Sequence, residues 1–242
     1  MDQKIFAGRV AVITGAATGI GRATVEGMIE RGAVAVAIDR NGALLQEVCA
    51  SLPQEQVRVF QADVADQARV EEIVAAVLAE FGKIDYLINN AGLWRRFIPF
   101  ADTTPDMWKQ FIDVNIYGTL YITHAVLPAM KEKQFGRIIN LGSVAGVYGN
   151  GTMADYSLTK GAVIAFTKAL AKEVGTDGIT VNAVSPGMVS NEYNEIGPTD
   201  KNYLGRTCTH KENADLICYL ASDEAAYISG QNIQIDGCRR MI

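Results

Sequence analysis

Seven short runs of apolar and β-branched residues punctuate the chain: RVAVIT (9–14), VAVAID (34–39), VRVFQAD (57–63), IDYLIN (84–89), RIINLG (137–142), ITVNAVS (179–185) and NIQID (232–236). Most are near-continuous rather than alternating, which is how strands read when both faces of a parallel sheet are covered. Between them apolar positions return every three or four residues, predicting helices over 19–31, 42–51, 66–81, 105–132 and 155–175, with a shorter one at 211–221. This alternation predicts an α/β fold, a doubly wound parallel sheet of seven strands with helices on both faces and ligands beyond the carboxyl ends of the strands. No repeat, low-complexity tract or Pro/Ser-rich linker divides the 242 residues, so 1–242 reads as a single domain. Only 186–210, PGMVSNEYNEIGPTDKNYLGRTCTH, lacks clear periodicity. A loop that long in a compact domain is usually functional, and it reads as a substrate lid.

Composition narrows the class of partner. With 49% hydrophobic and 20% charged residues the chain is globular in type, and no segment holds the roughly 18 unbroken apolar residues of a membrane span. A net charge of -5 and no basic run longer than a pair argue against nucleic acid, which needs clustered Lys and Arg. A small molecule is the expected partner. Cys49, Cys208, Cys218 and Cys238 lie far apart, and His124 and His210 are the only histidines, so neither a disulfide framework nor a metal site is suggested. The start of the chain reads as a first strand rather than a signal peptide, so a cytoplasmic location is expected.

After the first strand comes TGAATGIG (14–21), with glycines at 15, 19 and 21. Gly15 permits a tight turn, while Gly19 and Gly21 let backbone amides and the next helix N-terminus approach an anionic diphosphate. Asp39 ends the second strand, 24 positions after Gly15. A carboxylate there accepts hydrogen bonds from both hydroxyls of an adenosine ribose and repels a 2'-phosphate, so NAD is favoured over NADP. Arg40 complicates this, since a guanidinium tolerates that phosphate. Asp63 and the NNAG stretch (89–92) fall at the same sheet edge. The Asp63 carboxylate can hold an adenine amino group, and Ala91 and Gly92 leave room for a flat ring or ribose, though either feature alone is also what a turn requires.

The fifth strand runs into INLGSVAG and places Ser143 at its carboxyl end, thirteen residues before Tyr156 in ADYSLTKG (154–161). Tyr156 and Lys160 share one helix face, so Ser143, Tyr156 and Lys160 can converge on the cofactor crevice. A free phenol titrates near ~10 and is a poor base, whereas a neighbouring ammonium favours the phenolate and lowers that pKa. The same lysine can hydrogen-bond a nicotinamide ribose, and Ser143 can orient and polarise a substrate oxygen.

Taken together, TGAATGIG, NNAG, the Val114–Asn115 pair, Ser143 and YSLTK resemble the short-chain dehydrogenase/reductase family, and the likeness continues through SPG (185–187) and SGQNIQIDG (229–237). The resemblance implies a Rossmann-type fold, Asn115 in a proton relay, Ser143 positioning substrate, Tyr156 as general acid/base and Lys160 on the ribose and the tyrosine. It further implies that Ile20, Asp63, Val64, Asn90 and Ala91 contact the adenosine half, and Pro186, Gly187 and Val189 the carboxamide. It also implies a homotetramer, with a dimer as the other possibility.

Some positions depart from the family pattern. Asn191 stands where relatives often have threonine, the 186–210 loop looks short, and DGCRR puts Cys238 where a glycine is usual, near subunit contacts in family tetramers. Trp94, Ala145, Tyr148, Met153 and Met188 are candidate walls of a substrate pocket by adjacency to the motifs. Arg95 or Arg96 can bind a substrate carboxylate or phosphate, with a solvated pair as the plainer reading. The leading expectation is an NAD-dependent enzyme interconverting a secondary alcohol and a ketone. Its alternative is a 3-oxoacyl-thioester reductase, a branch of the family that tends to favour NADPH and a basic residue at the position of Thr18. Outside this class stands a non-catalytic dinucleotide-binding sensor or scaffold.

Overall fold

The computed structural model describes residues 4–94 and 97–240. Seven parallel strands form one sheet in the order β3-β2-β1-β4-β5-β6-β7: β1 (Val10–Thr14), β2 (Val34–Asp39), β3 (Val57–Gln61), β4 (Tyr86–Asn89), β5 (Gly136–Leu141), β6 (Ile179–Pro186) and β7 (Asn232–Ile235). The order reverses between β1 and β4, which opens a crevice at their carboxyl ends. All residues of β1, β4 and β5 are buried, the reason those runs carry no polar alternation.

Helices α1 (Gly19–Glu30), α2 (Gly42–Cys49) and α8 (His210–Ala221) pack on one face through Val25, Met28, Leu45, Ile217 and Leu220. Helices α3 (Gln67–Phe81), α5 (Gly118–Lys133) and α7 (Ala154–Val174) pack on the other through Ile73, Ile122, Met130 and Val174. Each such side chain stabilises the fold by roughly 1.5–3 kcal/mol of transfer free energy. Local signals start and stop the helices. Asn41 and Asp66 accept from the amides of Leu44 and Arg69, Thr209 and Glu212 form a capping box, and Gly82 ends α3 at φ 68°.

The sequence and structure part in two places. The segment predicted as one helix over 105–132 is α4 (Pro105–Phe111), a π-helical stretch at Ile112–Tyr117, and then α5. The π stretch keeps the periodic pattern alive while shifting it by a residue, which turns Asn115 inward. The stretch after β5 forms a short helix, α6 (Val144–Tyr148), capped by Ser143, whose hydroxyl accepts from the Ala145 amide at 3.1 Å. Among the described residues no helix is long and apolar enough to cross a membrane.

Candidate active site

The glycine loop between β1 and α1 is shaped by contacts within the protein as much as by room for a ligand. Gly15 adopts φ 65°, and a Cβ there would lie 2.8 Å from Ala91 Cα. A Cβ at Gly21 would meet the Gly15 carbonyl oxygen at 2.0 Å, so α1 leaves the loop this closely only with glycine at 21. Asn90 locks the arrangement from the β4 side: its Nδ2 donates to the carbonyls of Thr14 at 2.9 Å and Gly15 at 3.0 Å. Asn90 is therefore a brace on the loop, a function its adjacency to Ala91 and Gly92 did not disclose.

At the end of β2 both carboxylate oxygens of Asp39 hold backbone amides, Oδ2 from Ala17 at 3.0 Å and Oδ1 from Asn41 at 2.9 Å. The group is fixed in orientation and lines the crevice. Asp63 is exposed and accepts from the Ala65 amide at 2.9 Å.

Across the crevice the tyrosine, serine and lysine meet. Ser143 lies at the end of β5 and hydrogen-bonds the Tyr156 hydroxyl, while its oxygen already accepts from Ala145. Lys160 is buried on α7 and its Nζ donates to the Leu141 carbonyl at 2.6 Å. Asn115 receives the Leu93 amide on Oδ1 at 2.7 Å, and its Nδ2 donates to the Leu93 carbonyl and to Thr159 Oγ1, both at 3.0 Å. Thr159 in turn donates to the Tyr156 carbonyl at 2.8 Å. The π stretch thus ties the NNAG loop to the helix that bears the tyrosine.

The expected lowering of the Tyr156 pKa by Lys160 is not the balance in this structure. Burial pushes the phenol up, with only the Ser143 hydrogen bond opposing it. Lys160 lies 6.0 Å from the tyrosine ring centroid, and its own pKa is pushed down to about 8 by burial. Desolvation sets both directions because both groups sit inside rather than at the rim.

One cavity of about 810 Å³ joins these parts. Gly15, Thr18, Gly19, Ile20, Asp39, Arg40, Asp63, Val64, Asn90, Ala91 and Gly92 line it at the loop end, and Trp94, Ser143, Tyr156, Lys160, Pro186, Gly187, Met188 and Val189 at the other. Gly21 and Asn115 stand behind that lining and support it. Ala145, Tyr148 and Met153 are not brought to the cavity: Ala145 is buried under the Ser143 cap, Met153 is buried where α7 begins, and Tyr148 points outward. Arg95 and Arg96 lie outside the described residues. The segment 186–210 covers the cavity with Glu192, Ile196, Pro198 and Thr207, held by isolated bridges rather than regular structure. His210, at the start of α8, also lines it. Nothing in the local pattern distinguishes it, because its position depends on how the preceding loop folds.

These residues fit a dinucleotide: a glycine cradle at a helix N-terminus, a fixed carboxylate and a buried amine occur along one cavity of ligand-binding size. Comparison with known proteins agrees. The short chain dehydrogenase family model matches residues 9–201. The chain is 36% identical over 246 residues to the 3-oxoacyl-[acyl-carrier-protein] reductase of Escherichia coli (strain K12), covering 98% of this chain and 99% of that protein. It is 37% identical over 243 residues to the same-named protein of Thermotoga maritima, covering 95% and 97%. For that of Vibrio cholerae serotype O1 the identity is 34% over 244 residues, covering 97% and 98%.

Proposed function

The chain belongs to the short-chain dehydrogenase family and is an oxidoreductase that uses a nicotinamide dinucleotide; from that premise we propose that it interconverts a ketone and a secondary alcohol with NAD(H), the 3-oxoacyl thioester being the leading substrate class. The observation that carries the reaction is the convergence of Tyr156, Ser143 and Lys160 on the same cavity as Gly19 and Asp39. The substrate class leans on the relatives, which are named for 3-oxoacyl reduction and match from end to end. That favours the thioester alternative weighed in the sequence over a general alcohol dehydrogenase. NAD leans on Asp39, whose two amide bonds keep the carboxylate from turning away from a 2'-phosphate. Assembly as a homotetramer and a cytoplasmic location belong to the same proposal.

The bound nicotinamide supplies the hydride acceptor or donor; every proton is handled by the protein. Tyr156, kept neutral by burial, gives its phenolic proton to the carbonyl oxygen in reduction and takes it back in oxidation. Ser143 has its oxygen occupied by the Ala145 amide, so its own proton is available to the substrate oxygen or the phenolate. Lys160 stabilises the phenolate as the proton leaves, since with a pKa of about 8 most of it is still protonated at neutral pH. The Asn115–Thr159 link fixes the backbone of Tyr156.

The test follows absorbance of the reduced nicotinamide with NADH and NADPH against 3-oxoacyl thioesters, simple ketones and secondary alcohols. The expected outcome is thioester reduction with NADH that falls by about 10²–10⁴ in Tyr156→Phe while dinucleotide affinity is retained. Preference for NADPH would overturn the reading of Asp39, and turnover confined to simple alcohols would return the substrate to the general class. Dinucleotide binding with no turnover anywhere would favour the sensor or scaffold.

A further inference from the structure

His210 sits where the lid meets α8, and three elements immobilise it. Its ring is buried and stacks on Tyr193, with centroids 5.4 Å apart. Its Nδ1 accepts from the Asn194 amide at 3.2 Å, and Asn194 Oδ1 accepts from the Lys211 amide at 2.8 Å. Tyr193 is itself anchored to α1, its hydroxyl donating to Glu26 at 2.5 Å and the Arg22 guanidinium lying 4.2 Å over its ring. With Nδ1 serving as acceptor, the proton of the neutral ring resides on Nε2. That edge faces the glycine loop: a Cβ built on Gly19 would lie 3.4 Å from His210 Cδ2 and 3.6 Å from Nε2. Both residues line the cavity, and no described residue accepts from Nε2.

We infer that His210 is a binding residue for the diphosphate bridge of the dinucleotide, its Nε2–H donating to a phosphate oxygen held at Gly19; this rests on the dinucleotide reading above. A helix N-terminus with glycine at this turn already attracts an anion, and a pre-oriented N–H beside it adds a directed donor. Burial holds the imidazole below its usual pKa, in accord with a neutral ring. The amide bond on Nδ1 opposes a second proton there, so the ring stays a neutral donor beside the anion. Because Tyr193 and Asn194 belong to the lid, the same contact links lid position to cofactor binding.

The experiment measures Kd for ADP-ribose, which has the diphosphate, and adenosine, which lacks it, in wild type, His210→Ala and His210→Gln, together with the ¹⁵N resonance of His210 Nε2 in wild type. His210→Ala should weaken ADP-ribose on the order of tenfold and leave adenosine nearly unchanged, with His210→Gln recovering part through its amide N–H. The Nε2 resonance should move with ADP-ribose and not with adenosine. Equal weakening of both ligands, or an unmoved Nε2 resonance, would reduce His210 to a lid-packing residue and overturn the inference. Wild type that binds neither ligand would sink the dinucleotide reading itself. Should His210→Ala fail to fold, the wild-type resonance decides.

Discussion

Lys160 is a cation the fold holds against its solvation preference, and that has a consequence measurable without substrate. Its pKa is about 8 in the folded protein against 10.5 for an unperturbed lysine, with burial as the cause. Between those values the unfolded chain binds more protons than the folded one, so this residue's contribution to stability rises with pH across that window. Denaturant melts without added dinucleotide should show wild type gaining on Lys160→Met by on the order of 3 kcal/mol from pH 8 to 10.5. The lost hydrogen bond to Leu141 adds a constant offset and does not change the slope. A pH-independent difference would mean that the ammonium is solvated in the folded state. At this scale the sequence disclosed which residues meet but not their balance of charge. Spacing put Tyr156 beside Lys160, while the depth at which they sit, which reverses the expected phenol shift, is set by tertiary packing.

The segment 186–210 over the cavity draws its order from elsewhere in the chain. Tyr203 and Leu204 amides donate to the carbonyls of Cys238 and Gly237 at 3.0 and 3.2 Å, and the Arg240 amide donates to Lys201 at 2.9 Å. Arg239 then reaches Asn150, in the turn before α7, at 3.0 Å. Cys238 is thus a clasp residue, at φ 60° where a glycine would be unstrained. Removing Cys238–Ile242 should raise KM severalfold, leave kcat within a few-fold and speed proteolytic cleavage within 197–205, all read against wild type in steady-state assays and limited digestion. Unchanged KM and cleavage would show that this segment holds itself. Strands were legible because a doubly covered strand favours a near-continuous apolar run, and β1, VAVIT, reads that way directly. The π stretch at Ile112–Tyr117 was not, since inserting one residue into a turn leaves the hydrophobic period nearly intact. Neither was α6, five residues long with Gly146 at its centre.

At the scale of the whole molecule, two of the exposed apolar surfaces among the described residues are candidates for contact with another copy of the chain. On α7 the outward stripe is Leu158, Ala162, Ala165 and Ala169, and beside it the stacked rings of Tyr117 and Tyr121 lie 5.7 Å apart. Small residues on an outward helix face let a second helix approach closely, and the exposed Lys168 and Lys172 flank only the last turn of this stripe. Next to β6, on which α7 packs, β7 is an edge strand of the sheet, with Tyr219 and fully exposed Tyr227 preceding it. An unpaired edge flanked by exposed aromatics is a second place for a copy of the chain. Two distinct self-complementary patches generate a dihedral tetramer, whereas one gives only a dimer. Light scattering coupled to size exclusion should therefore report a tetramer for wild type and a dimer for Ala165→Glu, which places a carboxylate in the close-packed helix face and leaves the β7 edge intact. A wild-type monomer would sink the assembly. A variant that stays tetrameric would move both interfaces away from α7, and the alanine stripe would then be solvent-facing surface.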